Sequence, residues 1–196
     1  GIGGLSAALA LHRRGVEAIV HEQSPRLGEI GAGLNLSPNA LKAFRALGVE
    51  PGVLAIGHQD DYQAIRSWRS GRVISRQRRS GDIAERFGAA FVTIHRADLA
   101  NVLLQALPER NIRLGAVCTG VETSETGASA RFADGGAIEA DIVIGADGIH
   151  SAVRESLFGP DAPRFTGCVC WRGLVPVEAL PRGSNAKEMT AWWGPH

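Results

Sequence analysis

Gly1-Ile2-Gly3-Gly4-Leu5-Ser6, taken together with Glu22, decides the fold. Three glycines in four positions, followed by an Ala/Leu run, describe a turn into a helix where the main chain must come close to something. The free N–H groups and positive dipole end of a helix N-terminus make that something an anion. The dinucleotide fingerprint G-x-G-x-x-G places an acidic residue about 20 positions further on. Gly1 and Gly4 fit its second and third glycines, Gly3 adds a bare position between them, and Glu22 stands where the ribose-binding carboxylate belongs. The first glycine and the strand before it are not in the sequence, so the chain is expected to be a fragment cut inside its own motif.

Outward from that stretch, Leu5, Ala8, Leu9 and Leu11 keep helical spacing to Arg14, and Gly15 suits a left-handed cap. Val16 to Glu22 then reads as a short buried strand, completing a beta-alpha-beta unit. A carboxylate at its end favours two free ribose hydroxyls and repels a 2'-phosphate. A solvated strand-end Glu is the alternative. Beyond Pro25, Gly31-Ala32-Gly33 forms a second glycine loop where backbone can approach a ligand, suggesting a cofactor that continues past the pyrophosphate. Ser37 caps, and Pro38 begins, a helix over 39–47 that Gly48 stops.

Composition narrows the classes. At 196 residues, 44% of them hydrophobic, the chain can bury a core, and a net charge of +1 gives no electrostatic reason to expect nucleic acid or a membrane surface. No apolar run reaches the length of a membrane span. Cys118, Cys168 and Cys170 are too few and too badly spaced for a disulfide framework or closed zinc site, and the six histidines form no ligand pair, so no metal is expected. Reduced thiols point to the cytoplasm.

Further along, 63–68 and 72–75 read as a hairpin around Ser70-Gly71, made basic by Arg66, Arg69, Arg72, Arg76, Arg78 and Arg79. Those arginines either attract an anionic ligand or form a solvated strand face. Asp98 is expected to cap a helix ending at Pro108, with Arg96 just before it. Asp134-Gly135 marks a hairpin turn. Asp141 to Gly148 is a continuous apolar run, as in a central parallel strand, and such strands place ligands at their C-terminal ends, where Asp147 stands. An ordinary Asp-Gly turn with Ser151 as a helix cap is the alternative. Cys168 to Pro176 is expected to start new strands after a boundary near residue 165.

The glycine stretch with Glu22-Gln23, the run Gly-Ala-Gly-Leu-Asn-Leu-Ser-Pro-Asn-Ala at 31–40, Arg96 in Ile-x-Arg-x-x-Leu, and Gly-Ala-Asp-Gly at 145–148 followed by Ser151-Ala152-Val153-Arg154 resemble the FAD-dependent single-component aromatic hydroxylases, the salicylate, 3-hydroxybenzoate and 6-hydroxynicotinate hydroxylase group. The resemblance implies an α/β fold: a Rossmann-like FAD-binding domain of the p-hydroxybenzoate-hydroxylase type with the start of a β-sheet substrate domain. It divides the chain into a first FAD-binding part (1–61), a β-hairpin insertion on the substrate side (62–90), a second FAD-binding part (91–164) and a truncated substrate-binding sheet (165–196), with Trp171, Trp192 and Trp193 available to line that sheet.

It also implies a monooxygenase in which NAD(P)H reduces FAD, dioxygen is captured as a flavin C4a-hydroperoxide, and one oxygen passes to a small phenolic or hydroxy-carboxylic aromatic. Cofactor contacts carry over to Gly1, Gly3, Gly4, Glu22, Gln23, Arg96, the backbone at Cys118, and Asp147. The family's Gly-Asp ribityl motif would lie past His196, no catalytic base is named, and the piece alone is expected to bind FAD weakly and not turn over. An FAD-dependent epoxidase or reductase of the same fold, and a non-catalytic nucleotide-binding module, are the other readings; a homodimer is left open.

Overall fold

The structure, a computed structural model, describes residues 1–26 and 33–195. Most of the second glycine loop, and His196, therefore lie outside the described residues. Along the chain run α1 (Ile2–His12), β1 (Val20–Glu22), β2 (Gly33–Leu36), α2 (Pro38–Ala46), α3 (Glu50–Ile56), β3 (Tyr62–Ser67) and β4 (Val73–Arg78). They are followed by α4 (Asp82–Phe87), β5 (Val92–His95), α5 (Arg96–Gln105), β6 (Ile112–Leu114), β7 (Cys118–Thr123), β8 (Ala128–Phe132), β9 (Ala137–Ala140), α6 (Ala152–Phe158) and β10 (Glu188–Trp193). The chain forms two compact units, Gly1–Glu29 with Ala100–Trp171 and Ile30–Leu99 with Arg172–His196.

In the first unit α1 buries Leu5, Ala8 and Leu9, the stripe its spacing foretold. Gly15 follows with φ +75°, a left-handed conformation that favours glycine, and the chain turns back. β1 is shorter than the expected strand. It pairs in parallel with β6, Val20 against Ile112 and Glu22 against Leu114. Asn111, buried, donates Nδ2 to Ala18 O at 2.7 Å, and Ala116 N donates to Glu22 O at 3.0 Å, so both ends of the short pairing are held. β7, β8 and β9 form an antiparallel meander whose Val121 and Ala130 pack on Val153 of α6. Gly145 makes that packing possible, because a Cβ there would lie 2.8 Å from Val153 Cγ1.

The expected strand at 141–148 is not a ladder. Of its residues only Val143 is half-buried, packed against the Val121 cluster, while Ile142 and Ile144 are exposed. No described strand lies beside it, and without a neighbour an extended segment has no sheet hydrogen bonds to make. The strands expected at 168–176 are also not formed. Among the described residues that segment has no ladder partner, and Trp171 is 94% exposed, so it lines no sheet face.

In the second unit β2 and β5 form an antiparallel pair, Asn35 against Thr93 and Gly33 against His95. Leu41, Val53 and Val92 are fully buried around it. α3 can end close to β5 only because residue 57 is glycine, whose Cβ would stand 2.3 Å from Val92 Cγ1. The β3–β4 hairpin forms as read, with Gly71 at φ +69°, and β10 adds to it in parallel on the β3 edge. Glu188, nearly buried, binds Arg66 at 3.1 Å and Arg76 at 2.9 Å, so two arginines of the basic hairpin fasten a strand. Asp98 falls inside the first turn of α5 and not before it, because the helix starts three residues earlier than expected.

Candidate cofactor site

The first N–H groups of α1 have no side-chain cap; Gly1 holds the N-cap position and the first turn has no acidic residue. The first internal bond, Leu5 N to Gly1 O at 3.1 Å, leaves the earlier amides available, as at any helix start. Packing within the chain does not demand glycine here. A Cβ on Gly3 or Gly4 would meet Ala146 Cβ at 3.9 and 3.6 Å, ordinary contact. Bare backbone without a steric requirement from its own neighbours fits a diphosphate brought up against those amides.

Glu22 is turned toward this helix start. Its Oε2 accepts from the terminal ammonium of Gly1, an ion pair with the first residue of the sequence, and its Oε1 from Ser24 N at 3.0 Å. Burial raises its pKa, but the charged terminal ammonium of Gly1 and the backbone N–H groups of Ser24 and Gln23 outweigh this, so the carboxyl lies below its ordinary range. Gln23, next in the chain, is exposed. Cys118 opens β7 half-buried, two residues after the amide that binds Glu22 O.

Asp147 follows Ala146, the residue facing Gly3 and Gly4, yet its side chain has another occupation. Oδ1 accepts from Ser151 Oγ at 2.5 Å and Oδ2 from Val153 N at 3.1 Å, while Ser151 Oγ accepts from Arg154 N at 2.9 Å. The two residues cap α6 together. Burial raises the Asp147 pKa, and the Ser151 hydroxyl with the helix amides brings it below the usual carboxylate range.

The first unit thus brings together Gly1, Gly3, Gly4, Glu22, Gln23, Cys118 and Asp147. Arg96 belongs to the second unit, half-buried at the first position of α5. Sequence reading missed His21, whose ring stacks on Phe132 at 4.8 Å between centroids with its Nδ1 buried and unpartnered; burial, then Arg113, lowers its pKa and favours the neutral ring. It also missed a polar cluster of Asn35, His58, Asp60 and Thr93. Nothing in the local sequence signals that cluster, since its members come from three separate segments. Among the described residues no group of His, Cys, Asp and Glu is arranged to hold a metal, and no helix is long and apolar enough to cross a membrane.

Residues 1–179 match a protein-family model described as an FAD binding domain. The chain belongs to that family. Within it, the chain is 40% identical over its whole length to 3-amino-4-hydroxybenzoate 2-monooxygenase of Streptomyces cremeus, covering 49% of that protein. It is 36% identical to 6-hydroxynicotinate 3-monooxygenase of Pseudomonas fluorescens over 98% of the chain and 50% of the relative. The chain spans about half the length of these curated relatives. Among solved structures, Klebsiella pneumoniae HpxO complexed with FAD and uric acid superimposes with a TM-score of 0.72 at 32% identity, covering 79% of this chain and 39% of that one. The expected α/β FAD-binding fold is therefore the fold of this family.

Proposed function

We propose that this chain is the FAD-holding portion of a monooxygenase that hydroxylates a small phenolic or hydroxy-carboxylic aromatic, with NAD(P)H and dioxygen as co-substrates. The observation that carries the reading is the uncapped start of α1, where Gly3 and Gly4 are bare although packing within the chain does not demand it. The hydroxylase relatives matching along the whole chain support it.

In this reading the main-chain amides at Gly1, Gly3 and Gly4 receive the diphosphate, and Glu22 accepts from the hydroxyls of the adenosine ribose. Gln23 and the Cys118 backbone border the adenosine, and the Arg96 guanidinium offers its fork to phosphate or ribose. Asp147 holds the loop after Ala146 in place through α6. FAD, when bound, supplies the redox and oxygen-transfer chemistry. The protein's residues bind it, orient it and keep water away.

We further propose the division into FAD-binding parts 1–61 and 91–164, an insertion at 62–90, and a substrate-side sheet beginning at 165–196. The parallel pairing of β10 with β3 supports grouping the last two. The three cysteines are free, which supports a cytoplasmic location. The test is the flavin spectrum of the full-length protein with NAD(P)H oxidation over a panel of hydroxybenzoates, aminohydroxybenzoates and hydroxynicotinates. The expected result is bound flavin, oxidation stimulated by one of these acids and a product heavier by one oxygen. Bound flavin with no stimulated oxidation by any of them would sink the hydroxylase reading, and light scattering would test a homodimer.

A further inference from the structure

β1 is three residues long and, among the described residues, has one ladder neighbour, β6, so its orientation depends on side chains as well as on backbone bonds. Those side chains alternate between two faces. Buried Val20 and Glu22 share one face, and His21 takes the other, its ring 4.8 Å from that of Phe132 with 32° between the planes. Phe132 is itself held. It packs on the Val121, Ala130 and Val153 cluster and lies across from Cys118 of β7. Its N donates to Gly136 O at 2.9 Å, and its O accepts from Gly135 N at 3.1 Å. The ring contact therefore ties β1 to the core of the first unit, one residue before Glu22.

The ring can make this contact in one charge state. Its Nδ1 is buried with no hydrogen-bond partner among the described residues. A neutral imidazole with its hydrogen on Nε2 leaves only a lone pair there, whereas a protonated ring has a hydrogen to donate from both nitrogens. A buried N–H without an acceptor is costly. Arg113, directly across on β6, adds a second positive charge, while β8 and β7 offer Phe132 and Cys118, and Glu22 lies on the far face of β1. Burial, then Arg113, holds the ring's pKa below the ordinary histidine value.

We propose that His21 is a positioning residue: its neutral ring, packed on Phe132, sets the end of β1 that carries Glu22, and FAD affinity falls when the ring takes a proton. The inference rests on the reading that Glu22 accepts from the adenosine ribose. Because the folded pKa lies below the unfolded one, the contribution of the ring is complete above pH about 6.5 and is lost as pH falls through the lower folded value. Carboxylates keep their charge down to about pH 5, so Glu22 does not titrate in that window.

The test uses the full-length protein. In proton spectra the His21 ring, assigned by its loss in His21→Phe, is expected to titrate below about pH 6.5; a ring titrating at or above that value overturns the proposal, whatever the protein binds. FAD affinity of the parent is expected to weaken about fivefold between about pH 8 and pH 5. By reciprocity, bound FAD lowers the pKa of the ring further. His21→Phe keeps an aromatic contact and takes no proton, so its affinity is expected to be the same at both ends. A parent that binds equally at both ends, or a His21→Phe that weakens in acid as the parent does, overturns the proposal. In Glu22→Gln, itself weaker for FAD, the acid loss is expected to shrink below about twofold, as coupled residues require. A full acid loss persisting in Glu22→Gln shows that His21 acts elsewhere and overturns the positioning of Glu22. Glu22→Gln that binds FAD as tightly as the parent sinks the ribose reading itself.

Discussion

Glu22 and Asp147 are both acidic residues of the first unit in the expected cofactor region, and both have pKa values below the usual carboxylate range. Their partners differ. Glu22 is turned across to the start of α1, over 21 positions of sequence. Asp147 has both oxygens committed to Ser151 and Val153, four and six residues on. A depressed pKa therefore does not by itself assign a carboxylate to a ligand; the location of its donors is what separates these two residues. Glu22 borders bare amides that still need an acceptor, and Asp147 has satisfied the amides of its own helix.

The largest expected effect lies on the Glu22 side. Gly4→Ala should reduce FAD affinity in the full-length protein by about 100-fold, ~2.7 kcal/mol, measured by flavin titration. Stability should be unchanged or rise by up to about 1 kcal/mol, because alanine suits a helix better and contact with Ala146 at 3.6 Å is ordinary. Equal loss of stability and affinity would mean that the glycine serves packing.

Asp147→Ala should do the opposite, lowering unfolding free energy by about 2 kcal/mol, since it removes a cap and leaves the Val153 N–H without its acceptor. FAD affinity should follow only through that loss. Asp147→Asn that leaves stability intact but abolishes flavin binding would move Asp147 to the ligand-facing class. Glu22→Gln should weaken FAD about tenfold, ~1.4 kcal/mol, with a stability change below about 0.5 kcal/mol.

The smallest effect is in acid. Because the folded pKa of Asp147 lies below its unfolded value, its contribution is complete above pH about 4 and is lost as pH falls through the lower folded value. Acid unfolding curves of the parent and Asp147→Asn should diverge above that range and converge beneath it. Parallel curves throughout would show that the Ser151 and Val153 contacts contribute nothing.

What the sequence made legible was local. The stripe Leu5, Ala8, Leu9, the left-handed Gly15 and Gly71, and the Ser151 cap each depend on residues within a turn or two. The Glu22 position was legible because the fingerprint fixes a spacing. Partner choice was not. The apolar run at 141–148 has a strand-forming composition that does not say which strand lies beside it, and Cys168 to Pro176 has strand-forming residues with no neighbour to join among the described residues. Glu188 binds arginines 122 and 112 positions away, and Asn35 meets Thr93 across 58, separations at which no periodicity carries information.

The bond from Asn111 to the Ala18 carbonyl spans 93 positions, with the second unit's larger segment between its ends. During synthesis the pairing of β1 with β6 waits until the residues between them have been made. Non-local pairings of this kind close slowly, and a chain that leaves them open exposes a strand edge meanwhile. The described residues from Gly33 to Leu99 can collapse before then, and the end of β1 that carries Glu22 is completed after them.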